Sequence, residues 1–405
     1  MIDKLKIKSK QIVLKITKQV IDNSHQQDQQ YNDLLYLFDR YVNHGYIKSS
    51  NFNFNAYADE VIKLVESMKT SEPFSYRYSS SNFFPTLYGS VFACLLFFLL
   101  SKDDYLSPEQ KNSWADYFDS FQNDEGLFVD SNLLCENYYN YEWWGARHLS
   151  PIIIICYNYL GRRPQKEFNY IKKYYNPKIL REYLNKLEFN EIIHTDSDNA
   201  IMNLGVILQY QRDFFYDYNA AETLEILFNE LEKLVNPKYG SWGYGSDNDM
   251  VFLSRTQQFA YHLYPLWIYD NRSIKHVEKL IDLSLQTQTI LGGFGAYINS
   301  SACEDIDCID LLIKLTKVTS YRIDDVKMAM LKALPWVLSN QNEDGGFVFR
   351  RNEPFTYGHA LMSSQKNESH LFATWFRSLT VAYLVKFLNM DSKFNIGHCP
   401  GYHFL

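Results

Sequence analysis

A seven-residue pattern that returns at nearly constant spacing constrains this chain more than any other feature. Gln122-Asn-Asp-Glu-Gly126-Leu-Phe128, Gln288-Thr-Ile-Leu-Gly292-Gly-Phe294 and Gln341-Asn-Glu-Asp-Gly345-Gly-Phe347 share Gln-x-x-x-Gly-x-Phe. Asn236-Pro-Lys-Tyr-Gly240-Ser-Trp242 keeps the glycine and an aromatic. From 236 to 288 is 52 residues, from 288 to 341 is 53, and from 122 to 236 is 114, or twice 57. A degenerate copy is therefore expected near residues 180–195 and another near Glu72–Phe74, making six units. Repeats of this length signal one supersecondary unit stacked many times.

Each unit reads as a helical hairpin. Helical patterns precede the loops at 52–69, 107–121, 168–187, 219–235, 271–287 and 322–340, and others follow at 84–100, 144–161, 196–213, 254–270, 303–317 and 368–388. The first set is amphipathic (VIKLVESM, LEILFNELEKLV), which suits an outer layer with one wet face. The second is apolar on several faces (SPIIIICYNYL, FRSLTVAYLVKFL), which suits helices buried all round. No alternating pattern asks for a sheet. The expected fold is all-α: an (α/α)6 toroid over 51–390, with a helical extension over 1–50 and a tail over 391–405. The loop glycine is expected to supply a backbone shape that side chains forbid, and the Gln or Asn to tie the loop to a helix end.

Composition narrows the function classes. The 405 residues are 46% apolar and 21% charged, enough for a sizeable core and too apolar for global disorder. A net charge of −7 excludes a general nucleic-acid-binding field. Six cysteines without a C-x-x-C pair read as reduced thiols in a cytoplasmic protein and exclude a zinc ribbon. Apolar runs such as Val91–Leu100 and Pro151–Cys156 are too short to span a bilayer, and the first residues lack a secretory cleavage site. Residues 1–20 hold six Lys and one Asp, with Leu5, Ile12, Ile16 and Val20 on one helical face. That segment reads either as a peripheral membrane or partner contact or as a solvated first helix.

In such a toroid the inner helices begin at one end, and their starts are polar. They carry Arg147 and His148; Asp196, Asp198 and Asn199; Arg255, Gln257 and Gln258; Glu304, Asp305, Asp307 and Cys308; and Glu368 and His370. Acids at such positions can be caps, the reading that suits Asp196 and Asp198; Arg and His there oppose the helix dipole and ask for another reason. The densest cluster is Cys303-Glu-Asp-Ile-Asp-Cys-Ile-Asp310. Aromatics reach 17%, and rings beside the inner-helix starts are Trp143, Trp144, Trp242, Tyr244, Phe294, Tyr297, Phe347 and Trp375. Each can be either a substrate wall or ordinary core.

The recurring Gln-x-x-x-Gly-x-Phe/Trp resembles the QW repeat of triterpene cyclases and the Gly-Gly-Phe repeat of protein prenyltransferase β-subunits. Asp305-Ile-Asp-Cys308 resembles the Asp-x-Asp-Asp acid motif of class II terpene cyclases, with Cys in the last place and Ile309-Asp310 where a small pair is usual. The resemblance implies acid-initiated cyclisation of an isoprenoid, with Asp307 as the acid and Asp305, Glu304 and Cys308 tuning it. It would leave His148 or His370 to take the final proton. Crowded, buried carboxyls retain a proton, and aromatic faces stabilise the cation. No cofactor is required on this reading. Magnesium enters only with a diphosphate, which Arg147, Arg255, Arg350 and Arg351 could help hold.

Two other enzyme classes compete. The prenyltransferase resemblance implies zinc, for which Cys308 and His370 are the available ligands, although the Asp-x-Cys spacing is absent. A carbohydrate-active toroid (hydrolase, lyase or epimerase) would use paired carboxylates and rings, drawing on Glu304, Asp307, Glu368, Asp196, His148, His262 and Arg147. A ligand-binding toroid without catalysis is the remaining alternative.

Overall fold

Fourteen consecutive residues, Leu87–Leu100, form a helix in which every side chain is buried. A helix apolar on all faces cannot sit on a surface, so its position inside is already fixed by its composition. The computed structural model describes residues 36–37, 39–40, 52–100, 106–135, 138–139, 141–390 and 393–402. The basic segment 1–20 lies outside the described residues, as does most of the 1–50 extension.

Between residues 52 and 402, twelve α-helices are described. They are α1 (Phe54–Ser67), α2 (Leu87–Leu100), α3 (Pro108–Asp119), α4 (Ala146–Leu160), α5 (Pro177–Leu184), α6 (Ser197–Phe214), α7 (Tyr218–Glu232), α8 (Met250–Tyr269), α9 (Val277–Gln286), α10 (Ala302–Leu315), α11 (Ile323–Ser339) and α12 (Leu371–Phe387). Each falls within or close to a span expected from the sequence. The span expected at 168–187 divides into a 3-10 helix, Asn169–Tyr175, and α5, because Pro177 starts a new helix and disfavours helical geometry in the residue before it. The only strands described are Phe355–Thr356 and Ser363–Ser364, an antiparallel pair that places Phe355 opposite Ser364. The molecule is thus mostly helical.

Even-numbered helices form the buried layer. Their packing runs α2 on α4, α4 on α6, α6 on α8, α8 on α10, α10 on α12, and α12 back on α2. Odd-numbered helices lie outside: α1 on α2, α3 on α4, α7 on α6, α9 on α8 and α10, and α11 on α10 and α12. Side-chain caps start many of them. Ser107 and Ser301 make reciprocal capping boxes with Gln110 and Glu304, while Asp217 and Asp249 cap α7 and α8.

The repeat is a joint between successive units. Gln288 Nε2 donates to Gly292 O at 3.1 Å and to Ala329 O of α11 at 2.8 Å. Gln122 does the same with Gly126 and Lys166, and Gln341 binds Gly345 O at 2.9 Å. Gly292 and Gly345 have φ near +90°, and a Cβ on them would lie 2.3 Å and 2.2 Å from the carbonyl oxygens of Lys332 and Glu60. Only glycine tolerates both the backbone shape and the approach. The Gly345 loop therefore sits against α1, joining the last unit to the first.

The segment 393–402 crosses the opposite end of the buried layer. Asn395 N donates to Leu99 O at 2.9 Å, Gly397 N to Tyr159 Oη at 3.1 Å, and His398 stacks on Tyr269. These contacts lie at the last turns of α2, α4 and α8. Beyond them Tyr402 enters the interior. Its ring lies 5.5 Å from that of Phe376 and 6.2 Å from that of Tyr261, and its hydroxyl lies 3.2 Å from Met202 Sδ.

Candidate active site at the inner-helix starts

Helix starts present N–H groups without helical partners, so polar side chains collect there. In this protein the early turns of successive inner helices are linked by polar contacts around the whole cycle. Tyr88 Oη of α2 donates to Gly145 O at the cap of α4, at 2.9 Å. His148 Nδ1 of α4 lies 3.3 Å from Asn203 Oδ1 of α6. Asp198 of α6 binds Arg255 of α8, and Gln257 of α8 donates to the Asp307 carbonyl of α10 at 3.1 Å. Asp305 of α10 binds Arg377 of α12, and the backbone of Leu371, at the start of α12, donates to Tyr78 O, ahead of α2.

Asp198, His262 and Arg255 form the most organised group in this set. Arg255 forks onto the Asp198 carboxylate at 2.7 and 2.8 Å, while His262 Nδ1 lies 2.6 Å from Asp198 Oδ2. Arg255 is itself fixed by the carbonyls of Ile192 and Thr195 and by stacking on Phe259. Burial pushes the Asp198 carboxyl up, but Arg255 and His262 outweigh it and hold it down at about 2. A permanent carboxylate only accepts, so Nδ1 of His262 carries a proton, and Nε2 is the ring nitrogen left for another partner. The His262 side chain is 15% exposed, so it remains reachable. Asp198 is therefore more than a cap. No carboxylate–backbone cap bond is made at the start of α6, and the charge is used across helices.

The acidic stretch 303–310 distributes its carboxylates over different tasks. Asp305 Oδ1 accepts from Phe294 N and Ser300 Oγ, and Oδ2 from Trp336 Nε1 and Arg377, all at 2.8–3.0 Å. Burial raises this carboxyl and Arg377 opposes it. Four donors on two oxygens leave no place for a proton, so Asp305 stands as a carboxylate that anchors the loop to α10 and α12. Glu304 completes the capping box with Ser301 and binds Arg350 at 2.8 Å. Cys308 faces another way, with Sγ 3.5 Å from the Thr287 hydroxyl. Asp310 makes a buried pair with Lys314 at 2.8 Å.

Asp307 is different. It is buried, and among the described residues its Oδ1 has no hydrogen-bond partner. Burial is the largest influence on it, joined by Glu304 and Asp198, and together they push its carboxyl well above the ordinary range against the opposing Arg255. Among the carboxyls of this stretch it is the one whose surroundings favour the protonated form, next to the Asp198–Arg255 pair. His148 is uncharged: burial, then the neighbouring His262, push it down to about 3. Asn203, which contacts His148, is held by Glu142, and Glu142 also binds Arg147 at 2.8 Å.

The rings named from the sequence divide into three groups. Phe294 and Phe347 are fully buried in the repeat joints, and Trp242 is buried beside Tyr264 and Trp267 with its N–H on Leu231 O. Trp375 belongs to an inner cluster with Phe92, Phe372, Phe376 and Tyr402. Trp143 touches Tyr357 on the edge of that cluster, and Trp144 packs on Gly358. Tyr244 and Tyr297 are each 60% exposed on the loops before α8 and α10. Phe83, 87% exposed, and Phe84 extend this rim before α2.

The arginines considered for an anion are engaged: Arg147, Arg255 and Arg350 in the ion pairs above, and Arg351 with Asn342 Oδ1 and the carbonyls of Ser339 and Gln341. Glu368 is bound by Ser80, Ser81 and the Gln365 N–H. The zinc reading does not fit the positions of its ligands. Cys308 is turned to Thr287, and His370 Nδ1 caps α12 by accepting from Ala373 N. Among the described residues no three His, Cys, Asp or Glu side chains are grouped to hold a metal. Nor is any helix among them long and apolar enough to cross a membrane.

No family model matches the chain, and no curated protein matches it. Among solved structures it is similar to a polysaccharide lyase, at 10% identity and a TM-score of 0.49, over 84% of this chain and 99% of that chain. At that level of likeness neither the fold nor the activity of the lyase transfers to this protein.

Asp198 and His262 lie 64 residues apart. The signal available in advance was the spacing of Arg255 and His262, two helical turns apart on one face of α8, with His262 set in the otherwise apolar run Phe259–Trp267. Tyr78, Glu142, Asn203, Tyr261, Arg377 and Tyr402 gave no such signal, because each reads as an ordinary helix or loop residue.

Proposed function

We propose that the cycle of inner helices is an (α/α)6 toroid and that the chain is a carbohydrate-active enzyme working by proton transfer at the inner-helix starts. The observation that carries this reading is the Asp198–His262–Arg255 group. A carboxylate fixed by a bidentate guanidinium holds the imidazole in one tautomer and one orientation, which is the arrangement a general base requires. His262 Nε2 would take a proton from a sugar carbon or from the attacking water. Asp307, whose carboxyl burial raises well above the ordinary range and which also lies beside Asp198 and Arg255, would give one to the departing glycosidic oxygen. The exposed rings Phe83, Phe84, Tyr244 and Tyr297 suit the faces of sugar rings at the same end of the molecule.

A second reading, acid-initiated cyclisation of an isoprenoid, is favoured by the combination of an Asp307 carboxyl raised by burial with the aromatic cluster around Phe372 and Trp375. It has less support from the rest of the motif, because Asp305 and Glu304 are committed to Arg377 and Arg350.

A panel of neutral and acidic glycans, assayed for reducing ends and for ultraviolet-absorbing unsaturated ends, tests the first reading and separates hydrolysis from elimination. His262→Ala and Asp307→Asn are each expected to lose about 10²–10⁴-fold in turnover. No turnover of any glycan, together with cyclised products from polyprenyl diphosphates that vanish in Asp307→Asn, would replace it with the second.

A further inference from the structure

A small cleft is lined by the early turns of α4 and α6, the 3-10 helix Asn169–Tyr175 and α5. Its volume is about 20 Å³, room for one water-sized group. The polar side chains in its wall mostly supply donors. Tyr170 has a buried hydroxyl with no hydrogen-bond partner among the described residues. Ser150 lies beside it, outside hydrogen-bonding geometry, and gives its own proton to Ala146 O at 3.0 Å. Lys173 rests over the Tyr174 ring at 4.9 Å and makes no ion pair among the described residues. Arg147 meets Glu142 Oε1 through Nη1 at 2.8 Å. Glu142 is the one carboxylate described in the wall, and its other oxygen is taken by Asn203 Nδ2 at 3.0 Å. Two cations against one engaged carboxylate leave the cleft positive. Lys173 registers this: burial, then Arg147, push its ammonium down, against the weaker pull of Glu142.

We propose that this cleft binds one small monovalent anion of the halide class, held by Lys173, Arg147 and the Tyr170 hydroxyl. The site goes beyond the carbohydrate reading and does not depend on it. A single spherical anion accepts from the phenol, the ammonium and the guanidinium together, and bonds of that kind are the stronger ones. A water in the same place satisfies the hydroxyl and leaves the charge. A metal cation meets two like charges and a carboxylate already in use. Carboxylate, phosphate and sulfate groups exceed the space. Asn203, which also lines the cleft, touches both Glu142 and His148, so one residue separates the anion site from the candidate active site.

The test is thermal melting of the full chain at constant ionic strength, with sodium gluconate replaced stepwise by sodium chloride or sodium bromide. The melting temperature is expected to rise along a saturating curve with either halide, and not with acetate or sulfate. Lys173→Met keeps most of the side chain and Tyr170→Phe keeps the ring. Each is expected to move the halide midpoint to concentrations about tenfold higher or more. Crystals grown in bromide should show, by anomalous scattering, one ion against Tyr170, Lys173 and Arg147. A melting temperature indifferent to halide, an equal rise with acetate or sulfate, a midpoint unchanged in either variant, or a cleft without bromide would each overturn the proposal.

Discussion

Burial makes several of these side chains respond to pH in ways their exposed counterparts would not. His148 lies between Asn203 and the Glu142 backbone, and burial first, then His262, lower it to about 3. In the unfolded chain a histidine titrates near ~6.5. Between those values the unfolded state binds the extra proton, so stability rises with pH and is lost as pH falls from about 6.5 towards 3. Asp310 works in the other direction: burial, opposed by Lys314, raises it to about 6, so its contribution is lost as pH rises towards that value. The two slopes overlap, and a single substitution separates them. His148→Gln is expected to flatten the rise in unfolding free energy between about pH 4 and 6 by ~1.4 kcal/mol per pH unit, read from urea melts across that range. An unchanged slope would mean that His148 is charged in the folded protein.

At the scale of elements, the loop glycines and their glutamines matter more than helix propensity. Gly345 and Gly161 both have positive φ, yet they differ in surroundings. A Cβ on Gly345 would lie 2.2 Å from the Glu60 carbonyl oxygen, whereas one on Gly161 has no atom within 4 Å. Gly161→Ala bears only the backbone strain, ~1–2 kcal/mol. Gly345→Ala must also push α1 away and is expected to cost at least ~1 kcal/mol more, measured by chemical denaturation of the two variants side by side. Similar losses would show that the repeat glycine serves conformation alone. The repeat was legible in the sequence because Gln, Gly and Phe each do a local job at a fixed distance along the chain. Its partners were not: Ala329, Lys332 and Glu60 are reached through backbone carbonyls, which carry no residue signature.

For the whole molecule, the tail over 393–402 and the contact of α12 with α2 decide whether the interior is closed. Phe394 packs on Phe54 and Tyr57, and Tyr402 inserts between Phe376 and Tyr261. At ~1.5–3 kcal/mol for each large buried side chain, a chain ending at residue 392 is expected to lose ~3–6 kcal/mol. Thermal melts and near-ultraviolet dichroism of the aromatic cluster check this, and a truncated protein as stable as the full chain would assign the tail no part in the core. The twelve helices described between residues 52 and 402, and their division into amphipathic and apolar sets, followed from the amino-acid sequence, because apolar periodicity and repeat spacing are local properties of a chain. The meeting of Asp198 with His262 and of Asp305 with Arg377 was decided only in three dimensions. Each pair lies more than one repeat apart, and nothing in the local pattern separates a carboxylate that caps its own helix from one that reaches across to the next.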